Sequence, residues 1–155
     1  MLNRVTVRTL GLAAVMALGA GCAQHSGMME EGVMQEGVAT DPGSAQSTTW
    51  QWLSKVTQKE MLEVAQPERY TLALQPDGSV QAQFDCNRGH GSYEISAGRL
   101  KIGPVATTMM ACLPGSLDAD YGQALEKVES FSVENGELLL GLEDEGGTLR
   151  FRAAP

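Results

Sequence analysis

The sequence predicts an α+β domain: a small antiparallel, barrel-like β-sheet of about seven strands, with one helix packed on or capping it. Three observations lead there. Apolar and polar residues alternate in short runs, as in Tyr70, Leu72 and Leu74 and then Val80, Ala82, Phe84 and Cys86, so each run offers one buried face. Turn residues stand between such runs, at Gln75-Pro76-Asp77-Gly78, Ala97-Gly98 and Asn135-Gly136. A single stretch has helical spacing, with Leu117, Tyr121, Leu125 and Val128 forming one apolar stripe. A sheet with one buried face hides its edges by curling toward a barrel.

The N-terminal residues read as an export signal and not as part of the fold. Arg4 and Arg8 precede the apolar run Leu10 to Ala20, which is too short to span a bilayer. That run leads through Leu18-Gly19-Ala20-Gly21 into Cys22. The arrangement resembles the lipobox of bacterial lipoproteins, with Gly19 standing where that pattern has Leu. The resemblance implies removal of residues 1–21 and acylation of Cys22, which would anchor the chain to a membrane by lipid. Ordinary cleavage after Ala23 is the alternative. Ala23 in place of the Asp that retains lipoproteins at the inner membrane points to the outer one, with the domain facing the periplasm.

Residues 22–48 read as a lipid-anchored tether. Gly, Ser, Gln and Glu dominate, and Glu31-Gly32-Val33 is echoed by Glu36-Gly37-Val38 without any packing period. A flexible segment of this length holds a domain about 25–30 Å from its anchor. His25, Met28, Met29 and Met34 are soft-metal ligand types, but nothing in the pattern orders them, so they are read as spacer and no metal is assigned.

The folded domain is expected over residues 49–153. Trp50 and Trp52 flank Gln51, so both indoles face one side of a first strand. Ser54 to Pro67 reads as a solvated connection. The Tyr70 and Val80 runs then form a hairpin. Tyr93 with Ile95 and Leu100 with Ile102 form a second, around Ala97-Gly98. Ser116 is placed to cap the helix, and Asp118 and Asp120 favour its positive end. A meander closes the chain: Phe131 and Val133, then Leu138, Leu140 and Leu142, then Leu149 and Phe151.

Charge narrows the partners. The formal charge of −8 becomes two units more negative once Arg4 and Arg8 leave with the signal. Such a field repels nucleic acid and anionic headgroups, so no nucleic-acid partner is expected. No paired carboxylates, Ser-His-Asp order or metal cluster is recognisable. With His25 in the tether, His90 is the one histidine left to the domain, so the chain is read as a non-enzyme without cofactor.

Three cysteines in an exported chain leave one over. If Cys22 carries lipid, Cys86 and Cys112 remain as a pair able to form a structural disulfide in an oxidising compartment. Its loop of about 27 residues would contribute about 3.5 kcal/mol in the chain-entropy view. Three other readings stand beside it: zinc held by Cys86, Cys112 and His90; Cys86 with His90 as nucleophile and base; and a redox thiol. Asn87, Arg88, Gly89, His90 and Gly91 read as a polar glycine-rich loop, with Asn87, Arg88 and His90 as candidate interaction residues. Asn87 and Arg88 bonding to backbone is the plainer alternative. Met109 and Met110 read as adaptable core filler.

An ordered set of short motifs gives these pieces a family. Trp50-x-Trp52, Arg69-Tyr70-Thr71-Leu72, Asp77-Gly78, Asp85-Cys86-Asn87-Arg88, Gly91-Ser92-Tyr93 and Ala106-Thr107-Thr108-Met109-Met110-Ala111-Cys112 together resemble the META/HslJ-like family, over Trp50 to Arg152. Where that family has Gly before Cys-Asn, this chain has Asp85. The resemblance implies a small barrel-like α+β domain on bacterial envelope proteins, frequently lipoproteins. It also implies links to heat or antibiotic stress, and in some parasites to virulence or secretion, with no established enzymatic activity. The function expected from residues and resemblance together is stress tolerance or envelope maintenance, by binding a protein or envelope component. A periplasmic protease-inhibitor-like module is the alternative.

Overall fold

The computed structural model describes residues 38–155. The signal, Cys22, and the tether residues His25, Met28, Met29 and Met34 lie outside the described residues. A short helix α1 (Pro42–Ala45) precedes strands β1 (Thr49–Val56), β2 (Met61–Glu63), β3 (Tyr70–Leu74), β4 (Ser79–Phe84), β5 (Asn87–Ser96), β6 (Arg99–Ile102) and β7 (Ala106–Thr107). Helix α2 (Asp118–Glu126) follows, then β8 (Val128–Glu134), β9 (Glu137–Leu142) and β10 (Thr148–Ala153).

Eight strands form a closed antiparallel barrel in the order β1-β3-β4-β5-β6-β8-β9-β10, sealed by pairing of β10 with β1. The seal sets Trp50 opposite Ala153 and Trp52 opposite Phe151, with a register shift between Trp52 and Ser54. Strands β2 and β7 lie outside the ring, beside β1 and β5. They escaped the alternation because neither has a fully buried residue, so no period marks them.

The tight hairpins fall where the turn residues stand. Ala97 and Gly98 have φ of 51° and 77°, and Asn135 and Gly136 have 51° and 79°. Both pairs thus have the two positive angles of a type I′ turn, whose twist matches the strands it joins. The expected strand through Cys86 ends sooner. Asp85 and Cys86 make the turn from β4 to β5, and Asp85 has φ 58°.

Aromatic side chains fill the barrel, and α2 supplies the last of them. Tyr121 is fully buried and stacks on Trp52 with centroids 4.8 Å apart. Tyr70 meets both edge-on, at 5.8 Å from Trp52 and 6.0 Å from Tyr121, while Phe84 and Phe151 tilt against Tyr121. The helix is fixed at its start by the Leu117 N–H donating to Tyr70 Oη at 2.8 Å, and by Ser116 Oγ accepting the Asp118 N–H at 3.2 Å. Tyr121 and Leu125 of the predicted stripe are buried on α2, but Val128 is the first residue of β8. Its apolar side chain fits both patterns, and the chain turns at Lys127.

The packed domain includes residues before 49. Ala39 exchanges backbone bonds of 2.9 and 2.8 Å with Val133. Ala45 is fully buried and accepts the Trp50 indole N–H at 2.9 Å. Gln46 Nε2 donates to Tyr93 Oη at 2.7 Å, and that hydroxyl donates to Gln75 O at 2.6 Å. Residues 39–48, expected as the end of the tether, are therefore packed on the barrel through isolated contacts that leave no sequence period.

The Tyr121 hydroxyl is buried without a hydrogen-bond partner, and burial pushes its pKa well above the ordinary 10.0. Removing an unpaired buried hydroxyl is neutral or stabilising. Tyr121→Phe should therefore match the wild type or exceed it by about 1 kcal/mol in denaturant unfolding near neutral pH. Below pH 10 the phenol is neutral in both states. Above it the unfolded phenol ionises while the folded one does not, so stability falls as pH rises. Unfolding midpoints at about pH 8 and about pH 11 should drop less in Tyr121→Phe than in the wild type.

Candidate functional site

After β6 the chain turns through Gly103 and Pro104 and runs as β7 antiparallel to the first half of β5, with Gly89 opposite Thr107 and His90 opposite Ala106. This overturns the expected glycine-rich loop, because Asn87 to Gly91 is strand. The glycines serve close approach. A Cβ on Gly89 would lie 2.6 Å from Val105 Cγ1 and 2.9 Å from Phe84 Cε2, and one on Gly91 would lie 2.7 Å from Pro104 O. A side chain at either position would force the 104–107 segment away.

Strand alternation then separates the three candidate interaction residues. Asn87 points inward and is buried, whereas Arg88 and His90 point out. The two outward residues line a shallow depression with Thr71, Gln81 and Gln83 on the barrel's outer wall.

Asn87 holds the segment beyond β7. Its Oδ1 accepts the Met110 N–H at 2.8 Å and the Thr108 hydroxyl at 2.9 Å. Its Nδ2 donates to Met110 O at 3.0 Å and approaches Cys112 Sγ at 3.4 Å. One buried carboxamide thus satisfies both backbone groups of Met110. Arg88 takes part through its backbone: its N–H donates to Thr108 Oγ1 at 3.1 Å, and its carbonyl accepts the Thr108 N–H at 3.0 Å. The plainer alternative of backbone bonding therefore holds for the Asn87 side chain.

The cysteines complete the clamp. Cys86 and Cys112 form a disulfide with Cα atoms 5.6 Å apart. Both sulfurs being so joined, the zinc, nucleophile and thiol readings lose their thiolates, and the His90 side chain lies on the outer face. The Asp85-Cys86 turn has its own fastening. The Asp85 carboxylate is buried against the Arg69 guanidinium, and the Asp85 N–H donates to Arg69 O at 2.8 Å. The left-handed backbone at Asp85 explains the Gly of the family pattern. Asp is among the few other residues that tolerate this conformation, and here it gains an ion pair.

What the clamp holds up is apolar. Met109 is 96% exposed, Met110 58% and Leu113 74%. This corrects the reading of the methionines as core filler. Residues 108–113 have neither helix nor turn, and 108–111 form one wall of an open groove of about 570 Å³ whose other wall is α2. Phe84, Val105 and Leu125 give it a buried or half-buried apolar lining, and Asp118, Ala119 and Glu126 line it from α2. No segment period could have foretold this exposure. The available signal was a Met-Met pair between polar neighbours and a half-cystine.

A small closed barrel, plugged by one helix and presenting a disulfide-pinned apolar segment, is the class of protein these features define. The META domain profile matches residues 44–155, and the chain belongs to the META domain family. Among solved structures, an NMR structure of a protein from Burkholderia xenovorans is similar at 27% identity and TM-score 0.61, covering 76% of this chain and 93% of that one. A DUF4847 family protein from Bacteroides vulgatus is similar in fold, at 14% identity and TM-score 0.50, over 70% of this chain and 93% of its own. A search of the curated proteins found no match.

Two measurements check the clamp. Asn87→Ala leaves buried backbone groups of Met110 unpaired and should cost about 1–3 kcal/mol in unfolding free energy, with faster hydrogen exchange at the Met110 amide. Asn87→Asp keeps the acceptor but sets a buried carboxylate oxygen against Met110 O, so it should cost at least as much as Asn87→Ala near neutral pH. Reducing the disulfide should lower stability by about 3.5 kcal/mol at most, read from denaturant midpoints with and without reductant.

Proposed function

We propose that this META-family chain is an outer-membrane lipoprotein, anchored through Cys22 and facing the periplasm. Its domain is a non-enzymatic binding module that docks a protein or envelope component and so contributes to stress tolerance or envelope maintenance. The observation that carries this reading is the exposed Met109 on a backbone fixed by Asn87 and the Cys86–Cys112 bond. A large apolar side chain in water is common on protein surfaces. One whose supporting backbone is held by buried polar groups is pre-organised for a partner, since the ordering cost of binding is already met. The docking face is thus the 107–113 segment, with Arg88 and His90 on the adjoining outer wall.

Lipid attachment is supported by the run into Cys22, by the pairing of the other two cysteines and by the acidic charge, which leaves lipid as the means of holding a membrane. Full-length chain expressed in a Gram-negative envelope should fractionate with the outer membrane, and Cys22→Ser should move to the soluble periplasm. A photo-crosslinking residue at Met109 should give discrete adducts in that envelope, while one at exposed Lys59 should not. Equal crosslinking from both positions would sink the docking face.

A further inference from the structure

Resting on that docking reading, we infer that the 107–112 segment is a substrate-like inhibitory loop that enters the cleft of a serine protease with an apolar primary pocket, placing Met109 in the pocket. Two observations and one chemical consequence point to this partner.

The first is the form of the exposed residue. Among the described residues Met109 is the most exposed of the large apolar ones, in a stretch without helix or turn, and no partner is found for its N–H or carbonyl. A protease cleft reads a chain in this state, taking one side chain into a pocket and pairing with free backbone groups. A flat docking surface would need a broader patch.

The second is what lies on either side. Before Met109, Thr108 is fastened to the backbone of Arg88 through its own N–H and hydroxyl. After it, both backbone groups of Met110 are held by Asn87, and Cys112 is bonded to Cys86. These fastenings come from β5 and the turn preceding it, behind the loop, so they leave the Met109 side free.

The third is the chemistry that follows. The protease serine would give its proton to the protease's histidine as its oxygen attacks the Met109 carbonyl carbon. The Met109–Met110 C–N bond would break, and the leaving Met110 nitrogen would take a proton from the protease's general acid. In an ordinary substrate that amine diffuses away and water completes hydrolysis. Here Asn87 Oδ1 and Nδ2 keep the Met110 nitrogen and carbonyl where they were, and the disulfide keeps the new chain end on the barrel. The amine stays beside the acyl-enzyme at high effective concentration, so re-formation of the peptide outcompetes water. The clamp thus favours tight binding with slow net cleavage.

The test uses the full-length chain in detergent against chymotrypsin, a subtilisin-type protease and trypsin. Competitive inhibition of the first two at about micromolar Ki or below, with slow cleavage confined to Met109–Met110, is expected. Met109→Arg should lose about 100-fold or more against chymotrypsin and gain inhibition of trypsin, whose pocket takes a cation. Asn87→Ala, with its fold checked by near-UV circular dichroism, should be cut faster at the same bond. Absence of inhibition at about 100 µM, inhibition unchanged by Met109→Arg, or rapid complete hydrolysis of the wild type would each overturn the inference. If Met109 crosslinks in the envelope to a protein that is not a protease, the docking reading stands and this inference fails.

Discussion

Closure of the ring by β10 against β1 is the constraint on which the rest of the molecule depends. Without it the sheet would have two free edges and an open apolar face, and Trp52 and Phe151 would not stand opposite one another. With it, an enclosed space forms that the strands' own side chains do not fill. Tyr121 arrives from α2 to complete the packing, stacked on Trp52 and flanked by Tyr70, Phe84 and Phe151. The unpartnered Tyr121 hydroxyl is the cost of filling an apolar site with a residue that brings an oxygen. The aromatic contacts of its ring are what offset that cost.

Around this ring the work is divided between faces. Strand alternation sends Asn87 inward to the clamp and Arg88 and His90 outward, so three neighbours in sequence serve two surfaces. The fastening of the 108–112 segment is local: the Asp85-Cys86 turn, held by Arg69, presents Cys86 to Cys112, and the next residue supplies the carboxamide for Met110. That compactness lets an irregular segment keep a fixed form beside a regular sheet.

The sequence made most of the barrel legible because its signals are short-range and physical. Alternation in Tyr70-Leu72-Leu74 and Leu138-Leu140-Leu142, and the two-residue turns at Ala97-Gly98 and Asn135-Gly136, need no knowledge of the remainder. What stayed hidden lacked any period. Residues 39–48 pack through single contacts of Ala39, Ala45 and Gln46, and β2 and β7 bury no complete side chain. Val128 followed the helical stripe because an apolar residue just past a helix end looks the same as one within it. The glycines at 89 and 91 suggested a loop until Val105 and Thr107 against Gly89, and the Pro104 backbone against Gly91, showed what fills the space they leave. For the candidate site, the cysteine pair and Asn87 were readable as residues, while the exposure of Met109 and Met110 depends on where the clamp sets the segment.

The sealing pair also fixes an order of events as the chain folds. Phe151 lies across from Trp52, so the ring cannot shut until β10 is available, about a hundred residues after β1. The cysteines, separated by 26 residues, can meet much earlier. Pairing over so long a span is slow, and until it occurs one edge of β1 has no neighbour. The shift in register between Trp52 and Ser54 interrupts that waiting edge. A stray strand from another copy would find there a poor template, and the folding chain stays single until β10 arrives.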